Sequence, residues 1–90
     1  MPKELNKIEP VLLKTLCRYK QSRCGKGDYI DIEQIKNIYA MSYSYPDGEG
    51  DFSVYFETLE DAITYALNVA HYWTHIYEKT TSGWVDLQQE

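Results

Sequence analysis

Four side chains in this 90-residue chain carry the donor chemistry of a transition-metal site: Cys17, Cys24, His71 and His75. Thiolates and imidazoles are the ligands zinc prefers. The two histidines share a face on a helix or a strand, because a spacing of four suits both periods. The cysteines argue against the site. Structural zinc sites pair cysteines about two to four residues apart, whereas six residues separate Cys17 from Cys24. Cys24 with His71 would make a nucleophile and a base, but nothing nearby in the sequence marks the thiol as activated. Asp47, Glu49 and Asp51 alternate like the start of a calcium loop. The twelfth position of such a loop, where a bidentate glutamate closes the site, falls on Thr58. The expectation is therefore no metal, no cofactor and no catalytic residue, and a solvated acidic turn at 47–51.

Aromatic residues are the stronger anomaly, with nine Tyr and two Trp. Tyr39, Met41, Tyr43 and Tyr45 fall on one face of a strand, and Ile38, Ala40, Ser42 and Ser44 on the other. The small face suits an alanine-rich helix packed beside Phe52, Val54 and Phe56. That register puts Tyr39, Tyr43, Tyr45 and Tyr55 on the opposite face, under an N-terminal helix, or as a contact surface for a protein partner or a second copy, or scattered at the surface with their hydroxyls in water.

The elements that would position these residues follow from periodicity. Ile8, Leu12, Leu16 and Tyr19 recur at spacings of four, four and three, which predicts a helix over 8–23 with Pro10 in its first turn. Gly25-Lys26-Gly27 would end it. Residues 28–37 are read as a short capped helix in preference to a strand, although Ile30 and Ile32 alternate. Two β-rich runs, 38–45 and 51–56, flank Pro46-Asp47-Gly48-Glu49-Gly50 and predict a hairpin. Thr58 caps a helix over 58–71, whose apolar stripe is Leu59, Ala62, Ile63, Ala66, Leu67 and Ala70. Residues 72–79 are read as a strand in preference to a helix extension, followed by a turn at 80–83 and a strand at 84–87. The expected fold is α+β in a single domain over 1–90. It has an antiparallel sheet of three to four strands, the 58–71 helix on one face, and the 8–23 helix on the other face or an edge.

Charge bounds the partners. The net charge is −5, yet residues 1–26 carry seven Lys and Arg against two acids, and residues 27–90 carry two Lys against twelve acids. The basic set Lys14, Arg18, Lys20, Arg23 and Lys26 alternates with apolar positions instead of forming a block, which favours packing against the chain's own acidic body. No apolar run approaches the roughly 20 residues that cross a bilayer. The charged first ten residues do not read as an export signal, so a cytoplasmic location with reduced cysteines is expected. The functional expectation is a small non-catalytic protein-interaction or regulatory module, self-associating through the Tyr face. The alternatives are a nucleic-acid-associated regulator using the basic N-terminal segment, or an acidic nucleic-acid mimic that fills a basic groove on another protein. Nucleic acid ranks below protein as partner because phosphate needs a cationic rim and the sheet region is acidic.

Overall fold

The computed structural model describes residues 9–22 and 27–87. Its elements are β1 (Val11–Cys17), β2 (Tyr29–Ile35), β3 (Ile38–Ser44), β4 (Phe52–Phe56), the helix α1 (Leu59–Val69), β5 (Tyr77–Thr80) and β6 (Gly83–Asp86). A 3-10 turn at Ala70–Tyr72 continues α1. The strands form one sheet in the order β4-β3-β2-β1-β5-β6, with every neighbouring pair antiparallel. The first four strands meander. The helix then carries the chain back across one face, so that β5 lies against the far side of β1.

The expectation of three to four strands with two helices is overturned. Among the described residues the sheet has six strands and α1 is the only helical element of any length, so the fold is mostly β. Where a helix was expected over 8–23, the chain runs as β1. Leu12 and Leu16 are four apart, an even number, and both periods place such a pair on one face. Only spacings of three separate the two, and there the pattern misled. A bulge between Leu12 and Lys14 adds one residue to β1 and blurs its alternation. Pro10 stands just before the first strand residue, where its missing N–H breaks no ladder. Ile8 and Arg23, the expected helix ends, lie outside the described residues, as do Gly25 and Lys26.

The short helix expected over 28–37 is strand β2, and the alternation of Ile30 and Ile32 was the true signal: both are buried on one face. Lys36 and Asn37 make a two-residue turn between the paired Ile35 and Ile38, and Lys36 takes the left-handed φ of 58° that such a turn requires. Residues 72–76 complete the 3-10 turn and a loop, and the strand expected over 72–79 begins only at Tyr77.

The core lies between α1 and one face of the sheet. Ala62, Ala66 and Ala70 of the helical segment are fully buried against Leu16, Ile30, Ile32, Met41 and Tyr43, with Trp73 and Ile76 closing the far end. Thr58 accepts a hydrogen bond from the Asp61 N–H at 3.1 Å, and Glu60 and Asp61 sit in the first turn where the helix dipole favours negative charge. The β3–β4 register pairs Tyr39 with Phe56, Met41 with Val54 and Tyr43 with Phe52. The large residues of both strands therefore share the helix-covered face, and Ala40, Ser42, Ser53 and Tyr55 share the opposite one, where Ala40 is buried and Ser53 and Tyr55 are exposed. This reverses the expected side of β3, whereas Phe52, Val54 and Phe56 face the helix and Tyr55 the other side as expected. Small alanines on the helix need bulky partners on the sheet to reach close packing, and a face of serine and alanine would have left voids.

Candidate functional site

The four tyrosines singled out in the sequence separate. Tyr43 is 1% exposed in the core, Tyr39 and Tyr45 are half-buried against it, and Tyr55 stands 61% exposed on the opposite face. Tyr43 stacks on Phe52 with ring centres 5.5 Å apart and also contacts Tyr45 and Trp73. Its hydroxyl donates to Asp28 Oδ2 at 2.5 Å. With that proton committed, Tyr72 is the donor in the 3.1 Å contact between the two phenols. Burial, and then the hydrogen bond to Asp28, hold the Tyr43 phenol well above its ordinary range. It stays neutral and cannot serve as a base or nucleophile near neutral pH. The indole N–H of Trp73 is buried and makes no hydrogen bond of good geometry among the described residues. Arg18 Nη1 lies 3.6 Å from Asp28 Oδ2, so one carboxylate gathers the end of β1, the start of β2, β3 and the 3-10 turn. This network holds the fold together at one end of the sheet.

The chemistry-bearing residues do not converge. Cys17 is fully buried, and Cys24 lies outside the described residues. His71 Nδ1 bonds the carbonyl of Asn68 at 2.7 Å, whereas His75 Nδ1 bonds Asp86 Oδ2 at 2.8 Å. Among the described residues no three His, Cys, Asp or Glu side chains come within reach of one metal ion. In the 45–51 turn, Asp47 Oδ1 accepts the Glu49 N–H at 3.0 Å and Asp51 Oδ1 accepts the Tyr45 N–H at 2.8 Å. Two of the three carboxylates that suggested calcium thus tie down the turn.

The basic set divides likewise. Lys14 bonds Glu78 at 2.7 Å, and Arg18 lies over the rings of Tyr19 and Tyr72 at 5.5 and 5.3 Å. Lys20 lies 5.4 Å from the centre of the Tyr77 ring, while Arg23 and Lys26 fall outside the described residues. Lys79 covers Trp84 at 5.2 Å. Cations and rings therefore alternate around the end of β1 and along β5 and β6, an association the sequence did not reveal because it depends on the β1–β5 pairing.

Two openings flank the sheet. β5 pairs with β1 only at Leu16–Glu78 and Cys17–Tyr77. The strands then part around a groove of about 580 Å3 lined by Leu12, Thr15, Lys79, Thr80 and Thr81. The second opening is the outer edge of β4, the last strand in the sheet order. Natural edges are blunted by Lys, Pro, bulges or short length. β6, the other edge, is four residues long and contains Asp86. β4, one residue longer, lacks the other guards: Phe52-Ser53-Val54-Tyr55-Phe56 is uncharged, free of proline, and pairs with β3 without a register shift. No described residue pairs with it on its outer side.

The charge around β4 is of one sign. From Asn37 to Ala70 the sequence contains no Lys, Arg or His, while it holds Asp47, Glu49, Asp51, Glu57, Glu60 and Asp61. That interval is β3, β4 and α1, so the half of the sheet under the helix carries acid alone. The gap in basic residues is visible in the sequence and marks the acidic surroundings of β4, though not its open edge. Among the described residues, no helix is long and apolar enough to cross a membrane. No family model matches the chain, and no curated protein or solved structure matches it.

Proposed function

We propose that this chain is a non-catalytic protein-interaction module that captures an extended segment of a partner by adding it as a seventh strand beside β4. The observation that supports this reading is the unguarded outer edge of β4. Alternate residues of the five-residue strand turn backbone donors and acceptors outward to a partner strand, and Tyr55 provides rigid aromatic contact area next to them. Main-chain hydrogen bonds would supply affinity, and the alternation of Ser53 and Tyr55 on the open face would select side chains.

A labelled heptapeptide of alternating valine and threonine tests the proposal by fluorescence anisotropy. The chain should bind this peptide and should not bind its N-methylated counterpart, which lacks the backbone donors. The Ser53→Lys/Tyr55→Lys double variant, altered only at exposed positions, should keep its melting temperature and bind neither. Equal binding of both peptides by the unaltered chain contradicts strand addition.

A second reading has its own observation. Arg18 and Lys20 lie against Tyr19, Tyr72 and Tyr77, a mixture of cations and rings that suits single-stranded nucleic acid. It ranks second because Arg18 is already paired with Asp28. Salt-sensitive binding of a labelled oligonucleotide, lost in Arg18→Ala/Lys20→Ala, would favour it over the first.

A further inference from the structure

The acidic surroundings of β4 restrict which strand can dock there, an argument that rests on the strand-addition reading. Asp51 immediately precedes β4 and Glu57 immediately follows it. Asp47 and Glu49 extend the negative charge through the preceding turn, and Glu60 and Asp61 extend it into the first turn of α1. All six residues are exposed. Asp51 keeps its place through the bond from the Tyr45 N–H, so its charge is fixed at the strand end and not spread over many rotamers.

Self-pairing meets this charge directly. In a two-fold antiparallel β4–β4 pair that keeps all five residues in register, Val54 faces Val54 and Phe52 faces Phe56. Continued by one residue at each end, that register sets Asp51 against Glu57 of the second copy, twice. Like charges directly opposite destabilise a strand pair. The same two carboxylates attract a strand with a basic residue beyond each end. We infer that the occupant of the β4 edge is a heterologous extended segment, with an uncharged β-forming centre about five residues long bracketed by Lys or Arg. The acid flanks act as a selectivity device: they oppose a second copy and admit a basic-flanked partner.

Three versions of the valine–threonine peptide test this, with Lys-Lys, Glu-Glu or neutral flanks at both ends. The Lys-flanked peptide should bind about tenfold more tightly than the neutral one at low salt, the sum expected of a few exposed charge pairs. The advantage should shrink as salt rises to several hundred millimolar. Asp51→Asn/Glu57→Gln keeps the acceptor at position 51 and should remove the preference while retaining the neutral peptide. Equal affinity for all three peptides overturns the inference and leaves strand addition standing. Failure to bind any of them overturns strand addition itself, and the inference with it. A dimer seen by sedimentation and abolished by Tyr55→Lys also overturns the inference, because the acid flanks would then not exclude a second copy.

Discussion

The segment from Ile38 to Tyr72 and the strands around it are built by different rules. In that segment, β3, β4 and α1 follow one another in sequence and pack on one another in space. Its turn, cap and apolar stripe are each declared within a dozen residues. β1, β2, β5 and β6 form the rest of the sheet, and there β1 meets β5 some sixty residues later in the chain. Local signals fix structure where sequence neighbours are spatial neighbours, and mislead where a strand is stabilised by a partner the local pattern cannot reveal. Charge divides the same way. The first region has carboxylates and no Lys or Arg, while in the second each of several cations meets a carboxylate or a ring.

The largest effect should come from the helix. Ala66 is fully buried against the sheet, so Ala66→Asp should cost about 4 kcal/mol or more and unfold the domain, whereas Glu60→Ala on the exposed side should cost less than about 1 kcal/mol. Thermal melts showing equal losses would mean that α1 packs with another face. The same contrast can be drawn on β1. Leu16→Ala should cost about 2–5 kcal/mol, and Leu12→Ala, at a position 51% exposed, only a few tenths. Comparable costs for both would restore a helical packing of residues 8–23 and erase the difference between the regions.

Tyr43 joins the two regions through Asp28, Arg18 and Tyr72, and its loss should fall between these extremes. Tyr43→Phe should cost about 1–3 kcal/mol by leaving the Asp28 carboxylate short of a donor. Its phenol is raised in the folded state, so the protonated form belongs to the native protein and the unfolded chain releases the proton first. The stabilisation is complete below the ordinary tyrosine range and is lost as pH rises above it. Melts between pH 8 and 11 should decline more steeply for the unaltered chain than for Tyr43→Phe. Parallel curves would show that Tyr43 titrates normally.

The smallest effect tests the β2–β3 turn. Lys36 adopts a left-handed backbone, so Lys36→Gly should stabilise by about 1 kcal/mol or less. Destabilisation would mean that residues 36–37 turn in some other way.

These cases show how much was legible. The hairpin was readable from Pro46 and two glycines, and the helix from spacings of three, four, seven and eleven, which no strand reproduces. In β2, Ile30 and Ile32 announced a strand, but Asp31 and Gln34 imitate a helix cap and obscured it. In β1 the spacing of four was neutral and the bulge removed the rest. The tyrosine row was found, but its side of the sheet was inverted, because a strand's alternation does not say which of its faces the helix will cover. The open edge of β4 was out of reach for a different reason. A strand becomes an edge only through the pairing choices of all the others, and the sequence of β4 is that of any half-buried strand.

Strand addition at β4 is the central claim, and amide hydrogen exchange read residue by residue tests it most directly. In the free chain the amides of Phe52–Phe56 that point away from β3 should exchange quickly, while those of β2 and β3 are slow. Adding the Lys-flanked peptide should slow the fast β4 amides and leave β6 unchanged. Protection of every β4 amide before the peptide is added, or protection that appears at β6 or along β1 instead, would contradict the account.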